Sequence, residues 1–383
     1  MTTGVPTLGP DLERLRADAR AFADEVIAPG AAERDRRKEF PTAVLKAAAA
    51  KGYWGILVPE NYGGMAAGNL GQSVILEEFA RADASTHVTL SVHNSLVCGP
   101  LLAYGSESLK AAWLPKLASG EALGGYALTE PHAGSDAASL SCTAVRDGDS
   151  WVLNGTKMWI TTGTQCDALL LFARTDRDAP KAKGISAFIV PRRLPGLTAG
   201  KPENKLGIRA SETVQLFLEN VRIPADSLIG EVNRGFNYAM ETLNGGRVGI
   251  AVQAVGIAQR IVDETAAFLR DRVRHGEKGR TTQDEDFRLA EMATKVDAAR
   301  LLCWRAAELR DQKRDHVREA SMAKLFATQS CNEIARAAVE LVGPTAIAGG
   351  HVVERLFRDA RITELYEGTT EVQKLVIART YLR

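Results

Sequence analysis

The chain predicts an α+β fold in three successive parts: helices, then a small antiparallel β-domain, then helices again. Three observations carry this expectation. Apolar residues recur every three or four positions up to about Gly120, alternate with period two from about Leu123, and return to the helical period after Gly230. A hairpin signal, the Asp147-Gly148 turn between two alternating stretches, sits in the middle block. No βα alternation occurs, so a parallel doubly wound sheet is not expected.

In the first block LERLRADARAFADEVIAP, FPTAVLKAAAAKGYWGI and LGQSVILEEFARADAS read as helices. Pro29, Pro59, Gly63, Gly64 and Pro100 are expected as helix ends and turns. Around the hairpin and after it, SLSCTAVRDGDSWVLNGTKMWIT, ALLLFART, ISAFIVP and VQLFLENVRIP read as strands. In the last block VGIAVQAVGIAQRIVDETAAFLRDRV is long and apolar enough for a buried helix, with Gly249 and Gly256 as points of close helix approach. FRLAEMATKVDAARLLCWRAAELRD, REASMAKLFATQSCNEIARAAVELV and the segment after Glu367 read as further helices. The domains are expected at 1–122, 123–230 and 231–383.

Composition narrows the function classes. At 383 residues the chain exceeds the size of one core, and 45% apolar with 25% charged residues describes an ordinary globular protein. A net charge of +1 gives no reason to expect nucleic acid or an anionic membrane as the principal partner. No apolar run is long enough for a membrane span. Five scattered cysteines show neither a disulfide framework nor zinc spacing, and His87, His93 and His351 are isolated, so no metal is expected. The opening segment lacks an apolar core and meets acidic residues early, so a cytoplasmic location is expected.

Three stretches carry candidate chemistry. YALTEPHAGSDAAS places Thr129, Ala133, Gly134, Ser135 and Asp136 in a loop suited to a planar polar ring or a phosphate, although ordinary turns use the same residues. KMWITTGT ends a strand on Trp159, Ile160 and Thr161, where a core tryptophan is the simpler reading. In LYEGTTEVQKLVIAR, Thr370 with Gln373 has the spacing of a capping box, so Glu367 is not needed as a cap. Gly368 permits a sharp turn that aims Glu367 away from the helix, though a solvated loop glutamate is the simpler local reading.

Together ALTEPHAGSDAAS, LNGTKMWIT and VERLFRDARITELYEGTTEVQKLVIAR resemble the three signatures of the acyl-CoA dehydrogenase family, in order and over nearly the whole chain. GDSWVLNGTK, KGISAFIVP, KLGIR and ARLLCWRAAEL resemble the short-chain branch. The resemblance implies a barrel-like middle domain, a C-terminal four-helix bundle, FAD as cofactor, and oxidation of a short- to medium-chain acyl-CoA to its trans-2-enoyl-CoA. It implies Glu367 as the base, because the family's alternative base position is here Gly246, ahead of Arg247. Tyr126, Leu128, Thr129, Gly134 and Ser135 match the flavin-binding loop, and Trp159, Ile160 and Thr161 the segment beside the ring. Ser135, Asn244, Arg247, Tyr366 and Gly368 match substrate-side positions, with Asn244 replacing a more usual Asp. Arg272 and Gln283 match a neighbouring subunit's contacts to FAD, Glu340 the dinucleotide end, and Thr369 and Glu371 the adenosine half. A homotetramer built as a dimer of dimers and an electron-transfer flavoprotein as acceptor are implied as well.

Departures cluster at the dinucleotide end. His275 replaces an aromatic, and Glu340, Pro344 and Ala346 stand where the family has Gln and glycines. They suggest weaker FAD binding, with a non-redox acyl-CoA-binding homologue as the alternative function. Arg358 and Asp359 are expected to form an ion pair within the last signature.

Overall fold

Local signals start and stop many of the helices in the computed structural model, which describes residues 8–274 and 280–382. Pro10 at the first helical position, with Asp11 and Glu13 in the first turn, favours α1 (Pro10–Phe22). The ring pre-sets φ and the carboxylates face the positive end of the helix dipole. There follow α2 (Ala31–Arg37), α3 (Thr42–Ala50), α4 (Gly68–Ala82), α5 (Ala84–Ser91), α6 (Gly99–Tyr104) and α7 (Glu107–Ser119). Asp83 caps α5, accepting from the Ser85 N–H at 3.0 Å. Pro100 does not break the chain as expected but sits in the first turn of α6. Wider π-helical turns over Val92–Cys98 change the hydrogen-bond register there, where the proline lacks an N–H.

Gly120, at φ 82°, ends α7 and hands the chain to the sheet. Its strands are β1 (Gly124–Ala127), β2 (Thr143–Asp147), β3 (Ser150–Thr161), β4 (Ala168–Arg174), β5 (Ile185–Pro191), β6 (Leu197–Ala199), β7 (Thr213–Pro224) and β8 (Leu228–Ile229). Their order is β6-β7-β3-β2-β4-β5-β8, with β1 against β4. The hairpin forms where expected, Asp147 pairing Ser150 and Gly148 taking φ 56°. The domain is not wholly antiparallel: β1 runs parallel to β4, and β2 touches β4 in the same sense at Thr143 and Arg174. The long connection through the 128–142 loop and the β2–β3 hairpin supplies the crossover that a parallel pair needs. β4 is buried on both faces, Leu169 and Leu171 in one apolar cluster, Leu170 and Phe172 in another.

The C-terminal part has three long helices, α8 (Gly235–Arg274), α9 (Gln283–Asp311) and α10 (Val317–Val342), and two short ones, α11 (Val352–Arg361) and α12 (Thr370–Leu382). A Cβ on Gly256 would lie 2.5 Å from the Glu77 carbonyl and 2.6 Å from Ala80 Cβ, so α8 and α4 touch backbone to backbone there. Asp311 at the end of α9 caps α4, accepting from the Asn69 and Leu70 N–H groups at 2.7 and 2.9 Å. Arg358 and Asp359 do not pair with each other. Arg358 reaches Asp35 of α2 at 2.7 Å and the Leu206 carbonyl at 3.2 Å, while Asp359 accepts from the Ile208 N–H. Adjacent residues on a helix point about 100° apart, so the two side chains serve different neighbours. α11, which sequence reading passed over, buries Val353, Leu356 and Ala360 at helical spacing.

Candidate active site

The chain between α11 and α12 turns sharply because two consecutive residues take left-handed conformations, Glu367 at φ 52° and Gly368 at φ 96°. For glycine this is free, but for glutamate it costs on the order of 1 kcal/mol, so surrounding bonds must hold it. The Gly368 carbonyl accepts from Gln373 Nε2 at 2.9 Å and from the Lys324 ammonium of α10. The expected Thr370–Gln373 capping box is absent. Thr369 is the cap, its Oγ1 accepting from the Val372 N–H at 3.4 Å, and Gln373 serves the turn instead.

The turn aims the Glu367 side chain at α8. A Cβ built on Gly246 would lie 2.1 Å from Glu367 Oε2, so any side chain there would displace the carboxylate. The two base positions weighed from the sequence therefore open on one space. Glu367 Oε2 is buried without a hydrogen-bond partner, which rules out the solvated loop glutamate. Burial pushes its carboxyl up to about 7, against the opposing pull of Lys324 and Arg247. Arg247, 7% exposed, donates to Asn244 Oδ1 at 2.7 Å, and Tyr126 on β1 is close enough to feel the Glu367 charge. The Tyr366 hydroxyl donates to Gln253 Oε1, and Gln253 Nε2 donates to the Ala84 carbonyl at 2.9 Å.

On the sheet side, Lys157 and Glu130 form a buried pair at 2.8 Å. Lys157 also donates to the Leu128 carbonyl at 3.0 Å, while Glu130 accepts from Ser141 and Cys142, so the loop is tied to β3 at its base. The Met158 N–H donates to the Thr129 carbonyl at 2.8 Å, and Gly134 and Ser135 are exposed at the loop's tip. Trp159 is not a core residue. The β3–β7 register shifts between Lys157 and Ile160, Trp159 takes φ 59°, and the indole is left 53% exposed. Ile160 is core, leaving only its main chain to face a ligand; Thr161 is half-buried.

Nearly the whole chain fits one set of family models: acyl-CoA dehydrogenase N-terminal domain at residues 9–121, middle domain at 125–221 and C-terminal domain at 233–382. The chain belongs to the acyl-CoA dehydrogenase family. It is 47% identical to the mitochondrial short-chain specific acyl-CoA dehydrogenase of Mus musculus over 371 residues, 97% of this chain and 90% of that one. Butyryl-CoA dehydrogenase from Megasphaera elsdenii superposes with a TM-score of 0.96 at 34% identity, covering 99% and 100% of the two chains. A chain solved in a study of the electron transferring flavoprotein of Acidaminococcus fermentans and flavin-based electron bifurcation gives 0.96 at 37% identity, covering 98% and 99%.

Acyl-CoA dehydrogenases are FAD-dependent oxidoreductases. The polar groups of this chain fit that cofactor and a thioester: the Tyr126 hydroxyl, Arg247 Nε, Glu367 Oε2, Thr370 Oγ1 and Gln373 Oε1 are all buried without hydrogen-bond partners. Buried polar atoms are normally paired, so this concentration around one turn marks a ligand surface. Glu371 is exposed in the first turn of α12 beside Thr369. The remaining predicted residues lie elsewhere. Arg272 is 25 residues along α8 from Arg247, roughly 37 Å at 1.5 Å per residue. It pairs with Glu285, two residues from Gln283 at the start of α9. Glu340 does not present a bare charge to an anion, because Arg288 of α9 pairs with it, and the Ala346 methyl is buried in the core. His275 lies outside the described residues. Of the features that suggested a non-redox homologue, Glu340 and Ala346 therefore lose their force. Lys324 and Gln253 enter the site unannounced; a lysine inside the apolar run of α10 was the one signal available for the first.

Proposed function

We propose that this acyl-CoA dehydrogenase oxidises short- to medium-chain acyl-CoA thioesters to trans-2-enoyl-CoA, with Glu367 removing the α-proton. The observation that carries the reading is the Glu367 carboxyl against Gly246, shifted towards neutrality and unopposed by a second base. A carboxylate titrating near 7 is matched to proton transfer at physiological pH. Arg247 and Lys324 offset the charge that the carboxylate carries before it takes the proton. The Glu367 N–H, held by the same turn, is the donor assigned to the developing enolate oxygen. FAD, when bound, supplies the acceptor for the β-hydride.

Side chains along α8 support a short acyl group. Beyond Gly246, a Cβ on Gly249 would lie 2.5 Å from Ser91 Oγ, and one turn further Gln253 is tied to Tyr366 and to Ala84. The helix face beside Glu367 is thus closed within two turns. With an artificial acceptor, a straight-chain panel should give kcat/KM highest at about four to six carbons, which fit within the two-turn span of ~10 Å. Glu367→Gln should lose on the order of 100-fold or more in kcat. A preference for long chains, or full turnover by the glutamine variant, would count against the reading.

The same proposal covers the assembly. Arg272 and Gln283, too far from Arg247 to serve their own chain's site, suit a neighbouring subunit. Exposed Phe287, Leu301, Phe326, Leu375, Tyr381 and Leu382 on the C-terminal helices suit subunit packing. A homotetramer of four 41.3 kDa chains, about 165 kDa, is expected by light scattering. The exposed Trp159 suits electron passage to an electron-transfer flavoprotein. Five free, buried cysteines suit a reducing compartment such as the cytoplasm. We place the domain boundaries at 122/123 and 230/231, in the short connections before β1 and α8.

A further inference from the structure

Lys324 is 1% exposed in the middle of α10, and no described carboxylate lies within ion-pair distance of its ammonium. A buried lysine without a carboxylate in direct contact is costly, and a methionine of similar shape would fill the same space without that cost. Its described hydrogen bond goes to one atom, the carbonyl of Gly368, directly after the residue assigned as base. That carbonyl closes the left-handed Glu367–Gly368 pair and is shared with Gln373 Nε2. The charged and titratable groups around the carboxyl come from four elements: Lys324 on α10, Arg247 on α8, Tyr126 on β1, and Tyr366 beside it in the turn. Around the ammonium stand Glu367, Arg247 and Glu364.

We propose that Lys324 is a positioning residue of the reaction: its ammonium pins the Gly368 carbonyl, fixing the strained turn, and its charge keeps the Glu367 carboxyl ionisable within an apolar wall. The inference rests on the reading of Glu367 as the base. Two effects oppose each other at that carboxyl. Burial favours the neutral acid, which cannot accept a proton, while the cations of Lys324 and Arg247 favour the carboxylate. Arg247 donates to Asn244 and Ser321, side chains without formal charge. Lys324 is anchored to the turn itself, so geometry and charge are set by one group. It does not touch substrate in this account; it acts through Glu367.

The test is the pH dependence of kcat/KM for butyryl-CoA in the holoenzyme, comparing wild type with Lys324→Arg, Lys324→Gln and Lys324→Met. Removing the charge should move the acid limb to higher pH by about one unit, a tenfold loss well below the limb. Glutamine, which keeps a donor, should retain the high-pH plateau; methionine should lower it as well; arginine should keep the wild-type limb. A second readout needs no turnover. Melting temperatures of Lys324→Gln, Glu367→Gln and the double variant should be non-additive, the double losing less than the two singles together, because neither charge is then left alone. An unshifted limb in both neutral variants, or additive melting shifts, overturns the proposal even if the plateau falls, since a purely structural lysine gives that pattern. Failure of the underlying reading shows separately, as a wild-type acid limb that survives in Glu367→Gln.

Discussion

At the scale of single residues, the site depends on what stands beside a carboxyl rather than on the carboxyl alone. Glu367 is raised to about 7 chiefly by burial, so its protonated form dominates in mild acid. A base must be ionised to act, and therefore kcat/KM should rise with pH through about 7 and level off above it. A profile flat from pH 5.5 to 8 would show that another group takes the proton. Gly246 is the second such residue. In an isolated helix Gly→Ala would gain about 1 kcal/mol, but here the new methyl meets Glu367 Oε2 at 2.1 Å and Leu96 Cδ2 at 3.0 Å. Gly246→Ala should keep or raise the melting temperature while lowering kcat tenfold or more, as a carboxylate displaced by about 1 Å would. Equal kcat in the variant would mean that the carboxyl moves freely.

At the scale of elements, small departures from regular geometry aim the functional groups. The bulge in β3 turns Trp159 out of the sheet while its neighbour Ile160 stays in the core, a division that period-two reading cannot make because it assumes an unbroken pleat. The π turns before Pro100 keep α5 to α6 continuous where proline rules predict an end. Contact between α8 and α4 depends on Gly256, legible in the sequence as a glycine in an apolar helix. Gly256→Val should destabilise by about 2 kcal/mol or more, since the clash is with backbone and with Ala80 Cβ, neither of which can rotate away. Chemical denaturation that gives an unchanged midpoint would show that the two helices can separate at little cost.

At the scale of the whole molecule, the parts are joined by polar contacts as well as by the core. Arg300 of α9 meets Glu77 of α4 at 2.8 Å, and Arg358 gathers α2, α11 and the loop before β7. Asp359, buried at that junction, titrates at about 7, mainly because of burial. Its folded value lies above the ordinary carboxyl range, so between about 4 and 7 the native state binds more protons than the unfolded chain, and this site's contribution falls as pH rises through that window. Asp359→Asn keeps an acceptor for the Ile208 N–H and removes the titration. Its melting temperature, relative to wild type, should climb between pH 4 and 7; a constant difference would show that the aspartate is not the titrating group.

Much of this was legible in residue order. Periods of 3.6 and 2 placed the three parts, the Asp147-Gly148 hairpin formed where its turn chemistry put it, and three signatures in sequence pointed to the family. These properties are local: propensity, turn geometry and a short string of side chains determine them before any long-range contact forms. What only the tertiary structure decided is which distant residues meet. Arg358 turns to Asp35 rather than to Asp359, Glu340 finds Arg288, Gly246 makes room for Glu367, and Lys324 reaches a turn 44 residues later. Such pairings depend on helix register and crossing geometry, which a period cannot encode. In the low-dielectric space they enclose, proximity sets whether a carboxyl is an ordinary surface acid or a base poised near neutrality.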